Sequence, residues 1–150
     1  MKEMFKIVEL EEKYVPDVAE IEASSFSEPR SPEEVMRTIN DEMFTIYCLV
    51  DDADKLYGYV GVSRCVPEAE IVSVAIKDSC RGRGYSGILL DAVLDAERVR
   101  GVTDFYLEVR ESNMAALHLY EGAGFRIIGR REGFYKFPSE AALIMGLGNN

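Results

Sequence analysis

The sequence predicts one mixed α/β domain: a mostly antiparallel central sheet with one parallel strand pair, and helices packed against it. Two observations carry this. In the first half, β-branched and aromatic runs follow one another across short polar turns, as in an antiparallel meander. After residue 76 the order becomes loop, helix, strand, helix, strand, and a strand–helix–strand crossover sets its two strands parallel. The chain has 150 residues, which suits one domain rather than two. A chain of that size buries roughly 68–70% of its unfolded surface.

Phe5-Lys6-Ile7-Val8-Glu9-Leu10 reads as the first strand. Val15, Val18, Ala19, Ile21, Glu22 and Phe26 fall near helical spacing, which places a helix over 14–25. Ser31-Pro32-Glu33-Glu34 opens a second helix: a serine cap, proline at the first helical position and acids in the first turn. Strands over 44–50 and 56–66 are joined by the turn Asp51-Asp52-Ala53-Asp54. Pro67-Glu68-Ala69 turns the chain into a strand over 71–76. Tyr85, Ile88, Leu89, Ala92, Val93 and Ala96 recur at helical spacing and form the clearest amphipathic helix. The apolar strand 103–109 is expected to run parallel to 71–76. A helix over 113–123 stops at Gly124, and strands over 125–131 and 141–147 complete the sheet. No linker, repeat or low-complexity segment interrupts the chain.

Apolar residues are 47% of the chain and charged residues 29%, so it is neither disordered nor membrane-embedded. No stretch reaches the roughly 20 apolar residues of a membrane span. The opening Met1-Lys2-Glu3-Met4 has no apolar signal core behind it, so secretion is not expected. Cys48, Cys65 and Cys80 are scattered and lack a CxxC, which excludes a disulfide scaffold and a cysteine zinc site and suits the cytoplasm. The single histidine, His118, excludes a multi-histidine metal site and reads as structural. Net charge is −10, from 17 basic and 27 acidic residues, which disfavours nucleic acid as a partner.

Against that acidic background, Arg81-Gly82-Arg83-Gly84-Tyr85-Ser86-Gly87 is a local inversion of sign between a strand and a helix. Glycines let backbone amides approach a ligand, and the helix N-terminus adds positive potential. The expected ligand is a phosphate or pyrophosphate. No GxxxxGK[ST] is present. Gly82, Gly84 and Gly87 match GxGxxG, with Glu108 further on, but residues 77–81 separate the strand from the first glycine. The chain is also short for two mononucleotide-binding halves, and four strands precede the motif. A solvated basic turn is the remaining alternative.

Val74-Ala75-Ile76 followed by Arg81-x-x-Gly84-x-Ser86 resembles the acyl-CoA loop of the GNAT superfamily of N-acetyltransferases, usually Gln/Arg-x-x-Gly-x-Gly/Ala. Ser86 departs from that form in the last small position. Three further segments resemble the RimI-type and NatA-catalytic-subunit-like protein N-terminal acetyltransferases. They are Leu107-Glu108-Val109-Arg110-x-x-Asn113, Ala115-Ala116-Leu117-x-Leu119-Tyr120-Glu121-x-x-Gly124-Phe125 and Gly133-Phe134-Tyr135. The resemblance covers nearly the whole chain. It implies a single GNAT domain over 1–150, helices on both faces of the sheet and a parallel pair that splays beyond Val74 and Ile76. Acetyl-CoA would sit in that gap, paired with the backbone of Val74, Ala75 and Ile76. Arg81, Gly82, Arg83, Gly84, Tyr85, Ser86 and Gly87 would hold its diphosphate, and Asn113 and Tyr120 its pantetheine arm.

The implied reaction is acetyl transfer to the N-terminal α-amine of a protein or peptide by direct attack. Lysine side chains or small amines are the alternative acceptors, and a non-catalytic CoA- or dinucleotide-binding module is a further alternative. Such chemistry needs a base, oxyanion stabilisation and an acid for the leaving thiolate. Glu108, a carboxylate within an apolar strand, is the candidate base, and partial burial is expected to raise its pKa. Tyr120 is the candidate acid. Phe26, Glu28 and Arg30 on the first inter-helix loop and Tyr135 before the last strand would bind the acceptor beside Glu108. Arg30 and Glu70 stand where relatives carry an aromatic residue and, in archaeal relatives, a histidine. Cys80 is assigned no catalytic role. Oligomeric state is not written in the sequence.

Overall fold

A computed structural model describes residues 5–136 and 138–148. Met1 to Met4, Phe137, Asn149 and Asn150 lie outside the described residues. Seven strands form one sheet: β1 (Phe5–Glu9), β2 (Phe44–Asp51), β3 (Leu56–Cys65), β4 (Glu68–Ile76), β5 (Asp104–Arg110), β6 (Arg126–Tyr135) and β7 (Glu140–Leu147). Their spatial order is β1-β2-β3-β4-β5-β7-β6. Every neighbouring pair is antiparallel except β4 with β5. The helices are α1 (Val15–Ser25), α2 (Pro32–Arg37), α3 (Tyr85–Val99) and α4 (Met114–Gly122).

Local chemistry explains the ends of these elements. Ser31 caps α2 by accepting from the Glu34 amide at 3.2 Å, while the Glu34 carboxylate accepts from the Ser31 amide at 3.1 Å, a reciprocal capping box. Asn113 caps α4 by accepting from the Ala116 amide. Gly124, at φ 102°, takes the left-handed turn that ends α4.

The sheet is covered on both faces. On one, α3 buries Leu89, Leu90, Val93 and Leu94 against Val60, Val62, Phe105, Leu107 and Met145, joined by Leu117 and Tyr120 of α4. On the other, α1 packs Val15, Val18, Ala19 and Ile21 onto Ile46, Cys48, Val50, Tyr59 and Ala75. A buried ion pair crosses the first face. Arg64 of β3 donates to both carboxylate oxygens of Glu97 on α3, at 2.8 and 2.9 Å, and to the hydroxyl of Thr45. The Tyr47 hydroxyl also donates to Glu97.

The site depends on where β4 leaves β5. Only three rungs join them: Glu68↔Asp104, Ala69↔Phe105 and Glu70↔Tyr106. Beyond Glu70 the two strands run on unpaired, β4 to Ile76 and β5 to Arg110. The strands therefore part earlier than the sequence reading placed the splay. The cause lies on the β3 side, where Gly61 pairs with Ser73 but Val62 with Ile71, leaving Val72 as an extra residue in β4. Such a bulge bends its strand and shifts the side-chain alternation. Ala69 and Ile71 face the α3 side, whereas after Val72 it is Ala75 that joins the α1 side.

Three sequence expectations need correction. The turn before β4 is confined to Val66 and Pro67, and the strand begins at Glu68, because this stretch has ladder partners in both β3 and β5. Strand β6 runs past Arg131 to Tyr135 through a register irregularity, so Gly133-Phe134-Tyr135 is strand end rather than loop. On α3, Ile88 is 55% exposed, and the buried face runs through Tyr85, Leu89, Leu90, Val93, Leu94 and Glu97. A buried charge at Glu97 rotates that face away from the purely apolar stripe.

Candidate active site

Where β4 and β5 have parted, a cleft of about 430 Å³ opens between β4, the loop before α3 and α4. Ten of the twelve residues expected to bind cofactor line it: Val74, Ala75, Ile76, Arg81, Gly82, Gly84, Tyr85, Ser86, Asn113 and Tyr120. Gly82 and Gly84 have φ of 78° and 79°, and a Cβ at either would meet nothing within 4 Å. These two positions need glycine for their backbone angle, and their open surroundings leave room for a ligand. Arg81 is braced by its own loop, donating to the Ile76 carbonyl at 3.2 Å and pairing with Asp78 at 3.0 Å. Tyr85 fixes the start of α3 by setting its ring edge-on to Phe5 and Tyr57.

Arg83 and Gly87 do not line the cleft, contrary to expectation. The helix has already begun at Tyr85, so Gly87 lies within its first turn, and Arg83 is an exposed loop residue. The remaining set still suits a diphosphate carried on a strand-like arm: an unpaired strand edge, two left-handed glycines, a helix N-terminus and one arginine. Gly84→Ala forces a left-handed alanine, a strain of about 1–2 kcal/mol. Relieving it moves the loop, and CoA binding is expected to weaken about 5–30-fold. Binding followed by calorimetry checks this. Gly122→Ala, in open space on α4, should leave it unchanged.

A second cavity, of about 680 Å³, adjoins the first. It is lined by the loop after α1 (Phe26, Ser27, Glu28, Arg30), by Val72 and Ser73 of the bulge, and by Arg110, Phe134, Tyr135 and Lys136. Ser25 and Phe26 line both cavities, so the two meet there. Phe26, Glu28, Arg30 and Tyr135, expected to bind the acceptor, are thus brought to one groove.

Residues not singled out in the sequence hold that groove in shape. Glu22, only 3% exposed, accepts from the Arg30 amide at 3.0 Å and from the Tyr59 hydroxyl. The Arg30 guanidinium lies 4.0 Å from Glu22 and 4.9 Å from the Phe44 ring centre, so its charge is engaged within the loop. On the opposite wall, Arg110 donates to the carbonyls of Lys136 and Pro138, both at 3.1 Å. It also pairs with Glu140 at 3.4 Å and lies 4.4 Å from the centre of the Tyr135 ring. Glu140 in turn accepts from the Ser112 amide at 2.6 Å. Arg110 therefore clamps the β6–β7 turn and orients Tyr135. Its place at the end of an alternating strand was the available signal.

Glu108 lines neither cavity. It is half-buried on the β5 face that carries Tyr106 and Arg110. Its charge nevertheless reaches both Tyr135 and Glu70. Burial, then Glu108, raises the Tyr135 pKa; burial, then Tyr135, pushes Tyr120 up to about 12. Tyr120, Tyr135, Glu108 and Glu70 are thus electrostatic neighbours across the parting strands. The carboxyl that burial and a neighbouring charge lift is that of Glu70, which the sequence reading noted only as a departure. Glu70 is an exposed residue, yet its carboxyl is partly enclosed where β4 turns away.

His118 is exposed, and Cys80 is buried beside the first cavity. Among the described residues no group of three or more His, Cys, Asp or Glu side chains could hold a metal, and no helix is long and apolar enough to cross a membrane.

Residues 15–125 match the Acetyltransferase (GNAT) family. The chain is 30% identical over 146 residues to the ribosomal protein bS18-alanine N-acetyltransferase of Escherichia coli, covering 96% of this chain and 97% of the other. Over 94 residues it is 39% identical to the N-alpha-acetyltransferase RimI of Mycobacterium tuberculosis, covering 60% of this chain and 58% of that one. The crystal structure of the E. coli S18-alanine N-acetyltransferase matches with a TM-score of 0.85 at 28% identity, over 97% of this chain and 94% of the other. That of Ard1 from Thermoplasma volcanium matches at 0.82 and 26% identity, over 97% and 98%.

Proposed function

The chain belongs to the GNAT acetyltransferase family, and from that premise we propose that it transfers acetyl from acetyl-CoA to the N-terminal α-amine of a protein or peptide. The observation that carries this reading is the shared wall at Ser25 and Phe26. A donor along β4 and an amine lying between the α1–α2 loop and the end of β6 would meet there. The second groove, of about 680 Å³, has room for a peptide segment, and the names of the relatives specify an alanine of a ribosomal protein and, for the Mycobacterium tuberculosis enzyme, N-alpha acetylation. The acidic net charge of −10 also favours a cationic amine.

Acetyl-CoA, when bound, supplies a thioester carbonyl and a thiolate leaving group. Val74, Ala75 and Ile76 would hold its arm, and Gly82, Gly84, Ser86 and Arg81 its diphosphate. Glu108 accepts the proton of the attacking amine, directly or through a water. That work is modest, since a free α-amine has a pKa of about 7.7–8.0. Tyr120, with its pKa pushed up to about 12, remains protonated at neutral pH and donates to the departing sulfur. Tyr135, steadied by Arg110, hydrogen-bonds the acceptor backbone. The free thiols suit a reducing compartment, and the cytoplasm is the location proposed.

Mass spectrometry of lysine-containing peptides with free or blocked N-termini, incubated with acetyl-CoA, tests the reading. Free α-amines should be modified at least about 100-fold faster than lysine side chains, a difference of about 2.7 kcal/mol in the barrier. Equal modification of the blocked peptides would make lysine the acceptor.

A further inference from the structure

The two walls of the site belong to distant parts of the chain, and one side chain ties them together. Asn113, which caps α4, and Tyr120 further along it line the first cavity, the donor cleft. Tyr135, at the end of β6, lines the acceptor groove. Transfer between donor and acceptor depends on the spacing of these walls, and a displacement of about 1 Å can cost about 10²-fold in rate. Across the β6–β7 turn, Tyr135 is paired with Glu140. The Glu140 carboxylate spans to the other wall: one oxygen accepts from the Ser112 amide at 2.6 Å, and the other from Arg110 at 3.4 Å. Ser112 directly precedes the Asn113 cap.

The place of that carboxylate is set by where a ladder ends. Strand β5 pairs with β7 as far as Arg110↔Ala142, and the Glu111 amide still reaches the Ala141 carbonyl at 3.2 Å. The next amide, that of Ser112, is met by the Glu140 side chain in place of a further main-chain rung. The bonds from Ser112, with Arg110 beside them, hold the Glu140 carboxyl below its ordinary 4.5, so at neutral pH it is ionised and accepts on both sides. Only 17% of its side chain is exposed, against 79% for Asp95 in the surface pair with Arg98, so water competes less for it. Arg110 holds the turn through the Lys136 and Pro138 carbonyls, whereas the Ser112 bond is the one that reaches α4. Glu140 lines neither cavity, so it acts through the residues beside it. Resting on the N-terminal reading above, we infer that Glu140 is a positioning residue for the transfer. Its bond to Ser112 fixes the wall that carries Tyr135 at the distance from α4 at which an acceptor amine meets the thioester.

Two variants of the intact chain test this with acetyl-CoA and a peptide bearing a free N-terminus. Glu140→Ala removes the span, and kcat should fall about tenfold or more. Affinity and stoichiometry for CoA, read by calorimetry, should stay unchanged, because Asn113 keeps its own bond to Ala116. Glu140→Gln retains an oxygen for the Ser112 amide and should bring kcat back to within about threefold of the unaltered protein. The deficit in Glu140→Ala should be constant from pH 6 to 9, since Glu140 moves no proton, whereas a deficit from loss of the base fades as the amine deprotonates. A kcat in Glu140→Ala within about twofold of the unaltered value would overturn the inference while leaving the N-terminal reading standing. So would equal losses in the two variants, or a CoA stoichiometry that falls in step with kcat, the mark of an unfolded fraction. Failure of the unaltered protein, with CoA binding intact, to acetylate any free N-terminal peptide would overturn the N-terminal reading and this inference with it.

Discussion

Glu108→Gln is expected to lower turnover of a free N-terminal peptide at pH 7 by about 10²-fold, with CoA affinity unchanged. Glutamine keeps the size and hydrogen-bonding reach of the side chain but cannot take a proton at neutral pH. General-base catalysis is worth about 10²–10⁴-fold, and the lower end applies because a fraction of the α-amine is already neutral at pH 7. The deficit should therefore shrink as pH rises above about 8, where the amine sheds its own proton. Steady-state rates from pH 6 to 9, with calorimetric CoA binding alongside, check both statements. Glu70→Gln is the necessary companion. Glu70 is the carboxyl raised by burial and by Glu108, and a raised pKa is what a base near neutral pH requires. Loss of rate in Glu70→Gln with full turnover in Glu108→Gln would exchange the two assignments.

That ambiguity shows which parts of the site the sequence could express. Features coded by neighbours along the chain were legible. The Ser31 cap announces α2, and the glycines before Tyr85 announce a loop that leaves backbone exposed. The run from Leu107 to Asn113 places a carboxylate and a capping asparagine around one strand end. Features coded by register were not. Glu70 becomes a neighbour of Glu108 only because three rungs join β4 to β5 and then stop, and they stop because Val72 is an extra residue opposite β3. A one-residue bulge exchanges the faces of a strand, so periodicity alone puts its side chains on the wrong side. Ser73 reads as an ordinary strand residue until its partner is known to be Gly61. Arg110 reads as a surface charge until the β6–β7 turn folds over it. Ile88 and Glu97 err together: hydropathy predicts the apolar residue inside and the acid outside, whereas Arg64 draws the acid in.

Glu97→Ala is expected to destabilise the fold by about 3–5 kcal/mol at pH 7, the loss typical when one member of a buried pair is removed. Glu97 is 0% exposed and Arg64 6%, so neither can turn to water when its partner goes. The variant leaves the Arg64 guanidinium with neutral partners, Thr45, the Glu42 carbonyl and Tyr47, and the Tyr47 hydroxyl loses its carboxylate acceptor. The pair itself need not be net stabilising, because the Coulombic gain first has to offset desolvation of both charges. The double variant Arg64→Met/Glu97→Leu should accordingly recover most of the loss, and urea unfolding of the four proteins of that cycle measures it. The pH dependence follows from the direction of the shift. Burial pushes Glu97 up, but the hydrogen bonds from Arg64 and Tyr47 outweigh it and hold the carboxyl below its ordinary 4.5. A depressed carboxyl contributes stability that is present above the unfolded-state pKa and lost as pH falls through the folded-state value. The advantage of the unaltered protein over Glu97→Gln should thus be full near pH 7 and fade in acid below about 4.5. Because Glu97 fastens α3 to β2 and β3, and α3 begins at the glycine loop, loosening it should also blunt the thermal shift given by CoA. An unaltered shift in Glu97→Ala would show that the N-terminus of α3 is held by Tyr85 and its aromatic neighbours alone.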